Sequence, residues 1–199
     1  MEPRRTALVL IGFQNDYFAP DGALRDVIEN RSQLVANMVD LVERLRPLPI
    51  LIVNTPVIFA RDYSELVEPV GILKIVKEAG AFKLGTKGAE TILELRRFGE
   101  RIVEVPGKRG LNAFSNTDLD QLLRTREITN VVLAGVATSI CIDSTGRSAY
   151  EKGYKVFVLS DCTGGRSSFE QEFYCDKIFP LYAEVIRCTE LVNRLGLTA

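Results

Sequence analysis

The stretch "GVATSICIDSTGR", Gly135–Arg147, carries one cysteine, Cys141, just after an apolar run and at the start of a helical pattern. A helix N-terminus presents unpaired N–H groups and the positive end of the peptide dipole. Both favour a thiolate, and the same N–H groups can hold the oxyanion formed when a thiolate attacks a carbonyl. Such a nucleophile needs a base or a counter-charge. The chain has no histidine, so cysteine–histidine hydrolysis and histidine-dependent zinc hydrolysis are both excluded. Lysine can take the role once desolvation lowers its pKa. The candidate is Lys108, in "VPGKRG". The chemistry open to this pair is attack of the sulfur on a carbonyl carbon.

These groups need a scaffold that brings distant segments together. Apolar runs at 6–12, 49–55, 101–106, 130–136, 155–161 and 183–188 are rich in Val, Ile and Leu and alternate poorly with polar residues. That pattern marks strands buried on both faces of a parallel sheet. Between the first two runs, Leu34, Val35, Met38, Leu41, Val42 and Leu45 fall on one face of a 3.6-residue period, which predicts a helix. Helical segments at 117–126 and 140–152, the latter capped by Gly153, complete βαβ units. The sequence therefore predicts one doubly wound α/β domain over 1–199, with six mostly parallel strands between helices. In such sheets ligands bind beyond the carboxyl ends of the strands. Asn15 and Asp16 follow the first strand, Lys108 the third and Cys141 the fourth, with Lys108 expected in the turn after a strand adjacent to that of Cys141. The segment 56–100 is the least regular and is expected to form a helical insertion or lid.

The stretches "ALVLIGFQNDYF", "VPGKRGLNAFSNTDLDQLLR", "VVLAGVATSICIDSTGRSAYEKGY" and "KVFVLSDC" occur in an order and spacing similar to those of the isochorismatase-like cysteine hydrolases, from Thr6 to about Glu190. The resemblance implies a Rossmann-like three-layer fold, cleavage of a C–N bond in a small amide-type substrate, and a homo-oligomer, dimer or tetramer. By motif it implies Cys141 as nucleophile and Lys108 as the lysine of an Asp-Lys-Cys triad. It also implies a cis Val136–Ala137 peptide that turns the N–H groups of Ala137 and Cys141 toward the oxyanion. Phe13, Gln14, Tyr17, Phe18, Phe114 and Val136 lie near the same strand ends and are the expected substrate-binding set. Arg61 and Arg166 are candidates for a substrate carboxylate, although a surface position is the expected one for both.

Position 12 departs from the family pattern. The triad aspartate, two residues before the glutamine, is replaced by Gly12. Asp16 and Asp161 also lie at strand ends, where loop capping is their expected role. A glycine after a strand serves a tight turn or a close backbone approach. With the carboxylate gone, covalent adducts should form readily and amides should turn over slowly. Gly12→Asp should then raise amide turnover, provided the turn admits the side chain. The zinc-binding aspartate and histidines of nicotinamidase-like members have no counterpart in "NTPVIFARDYSELVEP", so no metal and no cofactor are expected.

Two other readings stand beside the hydrolase. Loss of the carboxylate suits a small-molecule binder or interaction protein without catalysis. "CIDSTGRS" also fits the C-x5-R-[ST] phosphate loop of cysteine phosphatases. Six helical steps rotate by about 600°, however, which would leave Cys141 and Arg147 on different faces. Composition narrows the partners. The chain has 199 residues, 46% hydrophobic and 26% charged, with a formal net charge of −1 and no basic stripe for nucleic acid. No apolar run approaches the roughly 18 residues of a membrane span. The expected setting is the cytoplasm, with Cys162, Cys175 and Cys188 as reduced, buried, small hydrophobes.

Overall fold

A computed structural model describes residues 1–197. Strand β1 (Thr6–Ile11) is buried at every position, as its unbroken apolar run requires. Its side chains alternate between two layers. Leu8 and Leu10 pack with Met38 and Leu41 of helix α2 (Arg31–Arg44), whereas Ala7, Val9 and Ile11 pack with Leu119, Leu123, Ile142 and Ala149 on the opposite face. The sheet adds β2 (Leu51–Thr55), β3 (Val103–Glu104), β4 (Asn130–Val136), β5 (Lys155–Gly164) and β6 (Glu184–Ile186). All six strands are parallel, in the order β3-β2-β1-β4-β5-β6. The chain winds outward from β1 in both directions, so the switch point lies between β1 and β4. The expected doubly wound α/β architecture is the observed one.

Two local expectations need correction. The run at 101–106 yields only the two residues of β3. Arg101 turns its guanidinium to the carbonyls of Leu45, Leu48 and Ile50 at 3.0–3.2 Å, and Pro106 has no N–H to give a ladder. Lys108 also does not follow a neighbour of β4. Strand β3 is at the sheet edge, with β2 and β1 between it and β4, and the loop after it must cross back to reach the switch point.

At that point the two central strands come very close. A Cβ on Gly135 would lie 1.9 Å from the Ile11 carbonyl oxygen, so only glycine keeps Ile11 paired with Gly135. The expected helix after β4 divides into a π-helical turn (Thr138–Ile142) and α6 (Asp143–Glu151). Gly153 follows α6 in the left-handed region. The segment between β2 and β3 carries the short helices Gly71–Ala79 and Leu93–Arg96. No helix among the described residues is long and apolar enough to cross a membrane.

Candidate active site

Cys141 sits in the π-helical turn at the carboxyl end of β4 and is 6% exposed. A π turn widens the helix and is favoured at functional positions. This one is held from both sides. The Ala137 carbonyl accepts from Ile140 and Ile142 N–H at 3.1 and 3.2 Å. The Thr138 hydroxyl meets Gln171, and Ser139 donates to Glu170 at 2.8 Å. Glu170 and Gln171 belong to helix Ser168–Phe173, whose N-cap Ser167 accepts from Glu170 N–H at 3.1 Å. Neither residue was a sequence candidate. The S-x-x-E pattern at 167–170 is a helix-start signal, but only the fold shows that this start faces the cysteine. The Val136–Ala137 peptide is cis, as the resemblance implied.

Lys108 reaches the thiol from the crossing loop. The loop is fixed where Ala113 N–H donates to Thr145 of α6 at 3.0 Å and Ile58 N–H donates to the Lys108 carbonyl at 3.3 Å. The lysine is fully buried. Its Nζ lies 2.5 Å from the Gly110 carbonyl oxygen and 3.7 Å from Cys141 Sγ. Burial pulls the pKa of Lys108 down, and attraction to Cys141 opposes this only in part. No carboxylate among the described residues pairs with it. An amine in that state can accept the thiol proton.

The aspartates near the strand ends are engaged elsewhere. Asp16 accepts from Phe82 N–H at 2.6 Å and from Ala23 N–H at 3.4 Å. Asp161 accepts from Cys188 N–H at 2.9 Å and lies 3.6 Å from Arg187. Both cap loops, and neither replaces the missing acid. Gly12 has φ +72°, and a Cβ there would lie 2.7 Å from the Val136 carbonyl oxygen and 3.5 Å from Tyr17 Cε2.

The expected binding set separates. Phe13 is fully buried, stacks on Phe18 at 5.4 Å, and packs in the layer opposite the cysteine. Alternation along β1 would place Phe13 with Ile11 on the cysteine side, but the strand ends at Ile11 and Gly12 turns the chain at φ +72°, so neither phenylalanine faces the thiol. Gln14 spends both amide hydrogens on the Val57 and Ala89 carbonyls, at 2.8 and 2.7 Å, and accepts from Val57 N–H at 2.9 Å. It ties the segment after β2 to β1 and has no donor left for a substrate. Phe114 shares the Cys141 layer and stacks on Tyr154 at 6.1 Å. Tyr17 and Val136 pack with Ala137. A cleft of about 540 Å³ opens beside the cysteine turn, lined by Ser139, Ile140, Ile72 and Arg166 among others. Arg166 pairs with Glu170 at 2.8 Å, whereas Arg61 donates to the Leu84 carbonyl away from this cleft. The phosphate-loop geometry is not formed. Arg147 lies on α6, pairs with Asp143 at 3.0 Å and stacks over Tyr182.

The four thiols differ in a way that predicts their reactivity. Cys162 is fully buried. Cys175 is pushed up to about 11, by burial first and Asp176 second. Cys188 is pushed above the ordinary thiol range, first by its hydrogen bond with Cys162 at 2.8 Å and then by burial. Brief iodoacetamide treatment at pH 7 should therefore label Cys141 first, although Cys175 and Cys188 are more exposed. Peptide mapping by mass spectrometry reads the order, and earlier labelling of either of those two would show that access alone decides it.

Comparison with known proteins gives a consistent relationship. The isochorismatase domain model matches residues 6–190. The isochorismatase family protein YwoC of Bacillus subtilis is 31% identical over 178 residues, 89% of this chain and 87% of that protein. YecD of Escherichia coli O157:H7 is 35% identical over 88 residues, 44% of this chain and about half (47%) of that protein. Among solved structures, a cysteine hydrolase from Pseudomonas syringae pv. phaseolicola superimposes with a TM-score of 0.86 at 23% identity, covering 98% of this chain and 94% of its own. N-carbamoylsarcosine amidase from Thermoplasma acidophilum superimposes with a TM-score of 0.74 at 23% identity, covering 94% and 97%.

Proposed function

The chain belongs to the isochorismatase family, and from that premise we propose that it is a cysteine hydrolase cleaving an amide-type C–N bond of a small molecule. One observation carries the reading. Lys108 Nζ, fully buried and without a carboxylate partner among the described residues, lies 3.7 Å from Cys141 Sγ. The amine takes the thiol proton as the sulfur attacks the substrate carbonyl. The backbone N–H groups of Ala137 and Cys141 hold the oxyanion, a placement supported by their position at the start of a helix. The C–N bond breaks as the nitrogen leaves with a proton, and water cleaves the resulting thioester to restore the thiol. The fold shared with N-carbamoylsarcosine amidase supports an amide-type substrate. The cleft beside Ser139 and Ile140 suits a small molecule, and the Ile72 side of that cleft makes the segment 56–100 the natural cover.

Rapid quenching after p-nitrophenyl acetate is mixed with the protein tests the reading. The expected product is one acetyl group on Cys141, absent from Cys141→Ala. A second reading, a binder without catalysis, is favoured by the missing carboxylate. An unacetylated Cys141 would decide for it.

A further inference from the structure

The hydrolase reading leaves one proton unassigned. A leaving amine must be protonated as its C–N bond breaks, and the carboxylate that would serve is absent at Gly12. Lys108 is held on the sulfur side, between Gly110 and Cys141. Asp16 and Asp161 are engaged in loops.

The place of the missing side chain has another neighbour. Tyr17 Cε2, next to the carbon that bears the hydroxyl, lies 3.5 Å from where a Cβ on residue 12 would be. The tyrosine is 6% exposed, and its ring rests on Phe82 with centroids 5.0 Å apart. It packs with Val136 and Ala137, the residues that lead into the cysteine turn. Its hydroxyl makes no hydrogen bond among the described residues. The hydroxyl is also not sealed, because the only sealed, unpartnered side-chain polar atom among them is Arg25 Nε. A phenol oxygen that is neither paired nor fully sealed keeps its proton free for a molecule other than the protein.

We propose that the Tyr17 hydroxyl is the proton donor to the leaving group, in the place where the family carries a carboxylate. This rests on the hydrolase reading and adds a residue to it. In acylation Cys141 loses its proton to Lys108, and the sulfur–carbon bond forms. The C–N bond then breaks, and its electron pair takes the Tyr17 proton. In deacylation the Tyr17 phenolate takes a proton from the attacking water, hydroxide displaces the Cys141 thiolate, and Lys108 returns the thiol proton. Atoms and charges balance over the cycle. Burial, with smaller contributions from Cys141 and Asp16, raises the pKa of Tyr17 above the ordinary tyrosine range. The donor is therefore loaded at neutral pH, and its phenolate is a strong base toward water.

Tyr17→Phe removes the hydroxyl and keeps the ring, with no protein hydrogen bond lost. Acylation of Cys141 is followed in a single turnover with two probes, p-nitrophenyl acetate and ethyl acetate. Nitrophenolate leaves without a proton, whereas ethoxide, a stronger base than a phenolate, must take one. The expected result is a loss of about 10²-fold or more on ethyl acetate and less than about threefold on the nitrophenyl ester. Wild type should be acylated by both esters. Equal losses on both esters, no loss on either, or a wild type that accepts only the nitrophenyl ester would overturn the role of Tyr17 and leave the nucleophile standing. No acylation of Cys141 by either ester would remove the hydrolase reading itself.

Discussion

Cys141→Ala is expected to lower ester and amide hydrolysis by about 10⁴-fold or more, the scale seen when a covalent nucleophile is removed. The fold should survive, because the thiol packs as one small group within a large apolar layer. Lys108→Met should lose about 10²–10⁴-fold, as for a general base, with the opposite effect on stability. A buried amine without a carboxylate is costly, and an apolar side chain of similar length removes that cost. The gain should depend on pH. Burial depresses the folded-state pKa of Lys108 below that of the unfolded chain. Between those two values the unfolded chain binds more protons, so wild-type stability rises with pH across the window. Below it the wild type bears the full cost of a buried ammonium. The excess in Tm of Lys108→Met should therefore be largest at acid pH and shrink as pH approaches the ordinary lysine range near about 10.4. Thermal unfolding of both proteins across pH, beside their ester kinetics, tests this. A Tm difference that does not vary with pH would mean that Lys108 titrates normally.

The parts of the molecule that were legible in the sequence are those fixed by local pattern. Unbroken apolar runs specify strands covered on both sides, and these run parallel as expected. The helix from Leu34 to Leu45 buries Leu34, Met38, Leu41 and Val42 on one stripe. Cys141 and Lys108 were legible as a candidate pair because the chain has no histidine and both residues follow apolar runs. What escaped depends on side-chain direction and long-range closure. Phe13 and Gln14 lie within two residues of Gly12, yet one enters the opposite layer and the other ties down the segment after β2. No period in the sequence reports which way a turn sends its side chains. The return of the Lys108 loop from the sheet edge depends on bonds such as Ala113 to Thr145, between residues far apart in the chain. Tyr17 was legible as an aromatic near the site, but the closeness of its ring edge to position 12 is a fact of packing.

Gly12→Asp is the second large effect, and its direction reverses the simple expectation from sequence. Restoring the carboxylate should accelerate amide hydrolysis only if the turn admits a side chain. At φ +72° aspartate is among the better tolerated residues, so backbone strain alone costs about 1–2 kcal/mol. The contact is more serious. A Cβ would lie 2.7 Å from the Val136 carbonyl oxygen and 3.0 Å from Val136 Cγ2, and the nearer atom is backbone that cannot rotate away. That carbonyl shares its peptide unit with the Ala137 N–H, the group assigned to the oxyanion. Relieving the clash must tilt this unit, and an oxyanion donor is sensitive to such displacement, with losses of about 10²–10³-fold when one is removed. The added carboxylate would also crowd Tyr17, whose Cε2 is 3.5 Å from the same Cβ. The expected outcome is a protein destabilised by about 2 kcal/mol or more, with a Tm lower by about 4–8 °C and slower acylation even by p-nitrophenyl acetate. Gly12→Ala separates the causes, because it introduces the Cβ without the charge. Both variants should lose ester activity together. If Gly12→Asp instead matched wild type in Tm and exceeded both proteins on amides, the turn would be able to hold an acid. The carboxylate, rather than Tyr17, would then be the group this site lacks.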